Sequence, residues 1–299
     1  MPEPTLSVVI ASWPNARGLD KCLESLRPQR ETADEVFVVG SEAPERELVE
    51  RFPWVCWLIA DPNQLVPHLW AQGIGRARGD VIAITTGQFI PAADWLRVIR
   101  ESHTRLASPA IGGGIDPARG GSAVAWAGYF IRYSAYAGLD REEALTDLAG
   151  DNASYKRRAL EAHPECVSDG FWEQNFHRVL LREGATLSFV PQMRVALNWP
   201  FGFRDFLRQR FRHGRQFGAD RVRERGGGYR FLAIAGSPLV PLILLSKLVG
   251  RIVRSRRDLV PLAMALPCLA CFSVAWAFGE GLGYLAPSSA SESARGVAR

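Results

Sequence analysis

Five cysteines and five histidines are the side chains of this 299-residue chain best suited to metal or redox chemistry, and their spacing argues against both. Cys268 and Cys271 form a Cys-x-x-Cys, but it lies inside an apolar run with no second ligand pair. His68, His103, His163 and His177 show no metal-ligand spacing. Gly73-x-Gly75 does not lead from a strand into a helix as a dinucleotide site requires. What remains is carboxylate, hydroxyl and guanidinium chemistry, and the question becomes which elements hold such groups together.

Those elements alternate along the first half. Leu6 to Ala11 is an apolar, β-branched run, the turn-rich ASWPNARG follows, and Cys22, Leu23 and Leu26 fall at helical spacing before a second run, Glu35 to Val39. Trp54 to Ile59, a helix around Pro67 to Ala77, Val81 to Thr85 and a helix over Ala92 to Leu106 continue the pattern. The economical fold is α/β: a mostly parallel, Rossmann-like sheet flanked by helices, its ligand beyond the carboxyl ends of the strands. Those ends are Ala11 to Ala16, Gly40 to Ala43 and Thr85 to Pro91. Ile111 to Ile115 and Ala123 to Phe130 are expected as further strands, Gly112 to Gly114 as a strand-end bend, Asp151 to Glu161 as a turn into a helix, Gly170 to Arg182 as a helix and Val190 to Leu197 as a late strand.

Composition excludes several classes. At 33.0 kDa, with 47% hydrophobic and 22% charged residues, the chain is too long and too apolar for a disordered or collagen-like protein. The opening MPEPTLSVVI has no basic stretch before a long apolar core, and five cysteines are too few for a disulfide scaffold, so a reducing compartment is expected for the bulk. The net +5 is unevenly placed: Arg204 to Arg257 holds 14 Lys and Arg against 3 Asp and Glu, a net +11, whereas Met1 to Phe203 holds 20 against 25. This cationic block abuts the long apolar runs, which fits a membrane surface and argues against nucleic acid.

Those runs are Phe231 to Ser246, 16 uncharged residues, and Leu259 to Gly279, 21, separated by a loop with Lys247, Arg251, Arg254, Arg256 and Arg257. A crossing needs about 20 apolar residues, so the second qualifies and the first is short. The positive-inside rule places both the loop and Arg204 to Arg230 on the cytoplasmic side, which a plain two-span hairpin cannot do. A re-entrant or interface-lying pair of helices at the cell membrane, with the globular part cytoplasmic, satisfies both; a buried hairpin in a soluble protein is the alternative. The expected divisions are a globular domain over 1–203, a basic amphipathic segment over 204–230, two hydrophobic helices over 231–286, and a disordered tail over 287–299, with Gly226 to Gly228 as a hinge.

Five pieces in register, LSVVIASWPNARGLDKCLESLRPQ, EVFVVG, GDVIAITTGQFIPAADWL, GDNASYKRRAL and DGFWEQNFHRVLLREGATLSFVP, resemble the family 2 glycosyltransferases of GT-A fold, over roughly residues 5 to 220. The resemblance implies sugar transfer from a nucleotide-sugar donor to an acceptor hydroxyl with inversion. It needs a nucleotide pocket, stabilisation of the departing diphosphate, and a carboxylate to take the acceptor's proton. Ser12, Trp13 and Ser41 take the nucleotide-pocket positions; an indole stacks on a base and hydroxyls bond ribose, or these are ordinary turn residues. Where the family carries a metal-binding Asp-x-Asp, this chain has Thr86-Gly87-Gln88, so a magnesium or manganese ion is disfavoured and no metal ligands are assigned. The resemblance makes Thr86 and Gln88 donor-binding positions.

The family's acidic pair at a helix start falls on Trp172-Glu173. This makes Glu173 the candidate base, kept ionised by the helix dipole, with His177 one turn on; glutamates are also common in first helical turns. Asp151 and Asn152 then border the acceptor, or form a turn and cap. Gln209-x-x-Arg212-His213 resembles an acceptor and diphosphate element, Gln-x-x-Arg-Trp, of processive members. The competing reading is an interface helix with Phe203, Phe206, Leu207, Phe211 and Phe217 supplying apolar contacts and Arg204, Arg208, Arg212 and Arg215 facing lipid headgroups, and one helix can do both.

The function expected is therefore an inverting hexosyl transfer to a lipid-linked or cell-envelope polysaccharide acceptor, on a surface of membrane lipids. The alternative is a catalytically inactive GT-A domain serving as a membrane-bound binding or scaffold protein.

Overall fold

Unbroken β-branched sequence becomes unbroken burial in the computed structural model, which describes residues 3–12, 18–29, 35–62, 64–117, 120–136, 138–198, 201–225 and 239–285. Trp13, the Gly226 to Gly228 hinge and the expected tail lie outside the described residues. The chain divides into two compact units, one of Met1–Asp116 with Leu139–Pro200, the other of Pro117–Gly138 with Phe201–Arg299.

The first unit is built on β1 (Leu6–Ser12), β2 (Glu35–Gly40), β3 (Cys56–Ile59) and β4 (Val81–Thr86), all parallel. Between them run α1 (Leu19–Leu26), α2 (Arg46–Arg51) and α3 (Val66–Ile74). After β5 (Phe89–Pro91) and α4 (Trp95–Arg105) come β6 (Ala110–Asp116), β7 (Glu143–Leu145), β8 (Ala153–Lys156) and β9 (Leu187–Leu197). The sheet order is β3-β2-β1-β4-β8-β6-β9-β5, with β7 on β9. β8 is antiparallel to both β4 and β6, and β6 is parallel to β9. The chain leaves β1 toward β2 and β3 and returns to β4 on β1's other edge, so the crevice opens at the ends of β1 and β4, by Ser12 and Thr86. The core against this sheet includes Val9, Val39, Leu69, Trp70, Ile84, Tyr155, Phe171 and Phe176.

Two expectations in this unit are corrected. The Asp151 to Glu161 stretch is not a turn into a helix: a strand, β8, intervenes before α6 (Arg157–Glu161). Four residues with buried Ala, Ser and Tyr side chains carry too little period to be read as a strand. Gly112 to Gly114 is not a strand-end bend but lies inside β6, where the register against β9 shifts between Gly113 and Gly114. A Cβ at Gly113 would sit 1.8 Å from the Met193 carbonyl oxygen, so backbone proximity demands the glycine. α7 (Glu165–Ser168) and α8 (Glu173–Arg182) complete the unit.

The second unit is helical: α5 (Ala123–Tyr133), α9 (Phe203–Arg225), α10 (Val240–Ser255) and α11 (Leu259–Leu285). Ala123 to Phe130 was expected as a strand. The Ser122 hydroxyl instead caps a helix by accepting from the Ala125 N–H at 3.3 Å, and Trp126, Tyr129, Phe130 and Tyr133 meet at three- and four-residue spacing. The basic loop is corrected too, because Lys247, Arg251 and Arg254 continue the helix begun by the apolar residues of α10.

α9 and α11 run in the same direction, with Phe206 on Phe272 and Phe211 on Phe278. Two Gly-x-x-x-Gly pairs bring the backbones together. Cβ atoms at Gly214 and Gly218 would lie 2.1 and 2.3 Å from the carbonyl oxygens of Trp276 and Glu280, and at Gly279 and Gly283 each 2.1 Å from those of Phe211 and Arg215. Small residues at this spacing let helices touch along their main chains.

Candidate active site

The turn Gly150–Asn152 lies against the carboxyl end of β4, where the Thr85 hydroxyl donates to the Asp151 carbonyl at 2.7 Å. Its position is fixed from beneath by Asn152, which has no exposed surface. The Asn152 amide donates to the carbonyls of Gly114 and Met193 at 2.9 and 2.8 Å, and its oxygen accepts from Trp95 Nε1 at 2.8 Å. Both amide hydrogens are thus committed to the scaffold. Trp70, buried on α3, donates from Nε1 to the Thr85 carbonyl at 2.7 Å and closes the same strand end.

Onto this turn α8 directs its first side chain. Gly170, at φ 88, bends the chain, and the Phe171 N–H donates to the Pro67 carbonyl at 2.8 Å. Phe171 and Phe176 pack around Tyr155 with ring centroids at 5.1 and 5.6 Å. Glu173 follows, half-buried, with its Cδ 3.0 Å from where a Cβ of Gly150 would lie; the Trp70 ring is 2.9 Å from the same point. Only glycine leaves room there for both side chains.

Burial pushes the Glu173 carboxyl up to about 7; the negative charges of Asp151 and Asp147 add to this, and its own backbone N–H opposes it. The helix-start position led us to expect a carboxylate held fully ionised by the dipole. Desolvation outweighs that favourable end charge, leaving a group that changes ionisation near neutrality.

His177, one turn along α8 and fully buried, joins the group. Its Nδ1 lies 2.6 Å from Asp147 Oδ1 and its Nε2 3.0 Å from the Tyr155 hydroxyl. The ring thus bridges the Asp147 carboxylate and the Tyr155 hydroxyl. Asp147 and Tyr155 were missed by sequence reasoning. The signal in reach was the four-residue spacing of Glu173 and His177; nothing local ties Asp147 to a histidine 30 positions on.

Trp172 is 43% exposed and meets His68 edge to face at 6.0 Å. Ser12 and Ser41 come together at the ends of β1 and β2, Ser12 opposite Gly40 in the register and Ser41 just beyond it. Thr86 and Gln88 are buried, and among the described residues Thr86 Oγ1 and Gln88 Oε1 have no hydrogen-bond partner. Gln209, Arg212 and His213 belong to the helical unit on α9, with Gln209 Oε1 buried and Arg212 and His213 exposed.

No family model matches the sequence, and no curated protein matches it. Among solved structures the chain is similar to GalNAc-T7 with UDP, GalNAc and Mn2+, at 14% identity and a TM-score of 0.52, over 67% of this chain and 44% of that one. The chain thus spans less than half the length of that protein. It is also similar to the mannosyltransferase PcManGT from Pyrobaculum calidifontis in complex with GDP-Man and Mn2+, at 16% identity and a TM-score of 0.49, over 91% and 74%. The fold is the GT-A fold that the sequence resemblance implied.

The GalNAc-T7 structure contains Mn2+. Thr86 and Gln88 offer a neutral hydroxyl and a neutral amide oxygen, both covered. Among the described residues no three His, Cys, Asp or Glu side chains form a metal-binding group. This donor set does not fit a magnesium or manganese ion, which takes charged oxygen ligands.

Proposed function

We propose that this chain is an inverting glycosyltransferase that transfers a sugar from a nucleotide-sugar donor to a hydroxyl of a lipid-linked or cell-envelope acceptor, at the cytoplasmic face of the membrane, with Glu173 as general base. The observation that carries the reading is the position of Glu173 over the Gly150 turn at the end of β4, with its carboxyl raised to about 7. A base that is half ionised at neutrality, beside the strand end where GT-A folds bind nucleotide, suits an alcohol's proton. As the acceptor oxygen bonds to the anomeric carbon, Glu173 takes its proton, and the bond to the diphosphate oxygen breaks on the opposite face, so one displacement inverts the centre.

The other residues take graded roles. Asn152 positions the turn through its three hydrogen bonds, and Asp147 with His177 and Tyr155 holds α8 in place. Ser12 and Ser41 lie where hydroxyls would meet the nucleotide, and Thr86 and Gln88 stand buried at the same strand end, where they would shape the donor pocket from beneath. Loss of acidity at those positions favours departure of the diphosphate without a divalent cation.

The test is transfer or donor hydrolysis by detergent-purified protein across nucleotide sugars, with EDTA present. Turnover is expected to survive the chelator and to fall about 100- to 10,000-fold in Glu173→Gln. Magnesium-dependent nucleotide affinity would overturn the metal-independent step. Absence of both turnover and calorimetric nucleotide-sugar binding would overturn catalysis and leave the scaffold reading.

A further inference from the structure

Among the described residues α11 is the one helix long and apolar enough to cross a bilayer. Its faces are unlike. Leu262, Leu269, Phe272, Glu280 and Tyr284 recur at helical spacing and are buried by protein. Opposite them Val260, Met264, Val274 and Phe278 are 72, 54, 57 and 65% exposed, on a strip that runs the helix length without a charged side chain. At ~1.5 Å per residue the helix is about 40 Å long and the strip from Val260 to Phe278 about 27 Å.

What covers the buried face decides how the helix can meet lipid. α9 is joined to it by the four glycine approaches, and α9 exposes Arg204, Arg208, Arg212 and Arg215. Glu280 places a carboxylate in the same seam, where it accepts from the Tyr284 hydroxyl at 2.5 Å and lies 3.9 Å from Arg221. A crossing by α11 would carry this arginine row into hydrocarbon, which bilayers tolerate only where such groups pair or face water. α10 adds exposed Leu242 and Ile243, then exposed Lys247, Arg251 and Arg254, with no acidic residue from Leu239 to Arg257. The apolar strip, the α9 arginines and the acid-free row of α10 complement an anionic lipid surface.

We propose that α11 lies along a single leaflet of an anionic bilayer without crossing it, its exposed strip in the upper acyl region and the cationic side chains of α9 and α10 among the headgroups. The inference rests on the membrane-face reading above and specifies its partner and geometry, yet it requires no catalysis.

The experiment attaches bimane at Val260→Cys, Met264→Cys, Val274→Cys and Phe278→Cys in the full chain, with the exposed native cysteines replaced by serine. Depth is read by nitroxide-lipid quenching in vesicles of phosphatidylcholine with phosphatidylglycerol. All four labels should report one shallow depth, about 5–10 Å below the headgroups. In sedimentation with the same vesicles, Phe278→Glu should weaken binding on the order of tenfold. Depths passing through the bilayer centre, or labels reached by an impermeant quencher only from the far side, would show a span and overturn the proposal. Failure to bind these vesicles, or a concentration-dependent dimer that buries the labels instead, would also overturn it. Because no sugar enters the measurement, failure of the transferase reading leaves this result standing, and the reverse holds.

Discussion

Replacing Glu173 with Gln should make the protein more stable while removing its chemistry. The carboxyl is displaced from an ordinary value of 4.5 to about 7, because the folded site disfavours its charge through burial and through Asp151 and Asp147. A carboxyl raised on folding binds its proton more tightly when folded, so wild-type stability declines as pH rises from 4.5 and levels off above about 7. The displacement corresponds to on the order of 3 kcal/mol at most; partial solvent access at Glu173 reduces this, and ~1–3 kcal/mol is expected. Glutamine keeps the shape and carries no charge. Urea unfolding followed by tryptophan fluorescence should give the variant the higher midpoint above pH 7 and matching midpoints below pH 4.5. A variant equal to or weaker than wild type at high pH, or a difference that does not change with pH, would refute the argument that the site strains its own carboxylate.

Asp147→Asn keeps an acceptor for His177 but removes one negative charge acting on Glu173, so the acid limb of the kcat/KM profile should move to lower pH. Gly150→Ala introduces a methyl 2.9 Å from the Trp70 ring and 3.0 Å from Glu173 Cδ; kcat should fall by at least about tenfold while calorimetric nucleotide-sugar affinity holds. Trp95→Phe leaves the buried Asn152 oxygen without its donor, and thermal unfolding should report a loss of ~1–3 kcal/mol. In Gly279→Val, atoms added beyond a Cβ already 2.1 Å from the Phe211 oxygen should part α9 from α11 and cost ~1–3 kcal/mol or more of stability, read as a Tm below that of wild type.

The parallel strands were legible because β1, β2 and β4 are apolar, β-branched runs whose interiors are buried on both faces. α5 was misread because AVAWAGYF alternates small and large residues, and the helix becomes evident only in the rings of Trp126, Tyr129, Phe130 and Tyr133 meeting at helical spacing. Glu173 could be singled out from its place at a helix start. Its environment could not, since Trp70, Asp147 and Gly150 reach it through tertiary contacts, and desolvation opposes the ionisation that local position predicts. The Gly214/Gly218 and Gly279/Gly283 spacings stand openly in the sequence, but nothing local says that each pair faces the other helix.

The central claim, that Glu173 receives the acceptor's proton, is tested most directly by the pH dependence of kcat/KM for sugar transfer in wild type and Glu173→Gln. Wild-type activity should rise with pH through a midpoint near 7, and the residual activity of the variant should lack that limb. A limb near 7 that persists in the variant, or a variant that retains wild-type activity, would contradict the account.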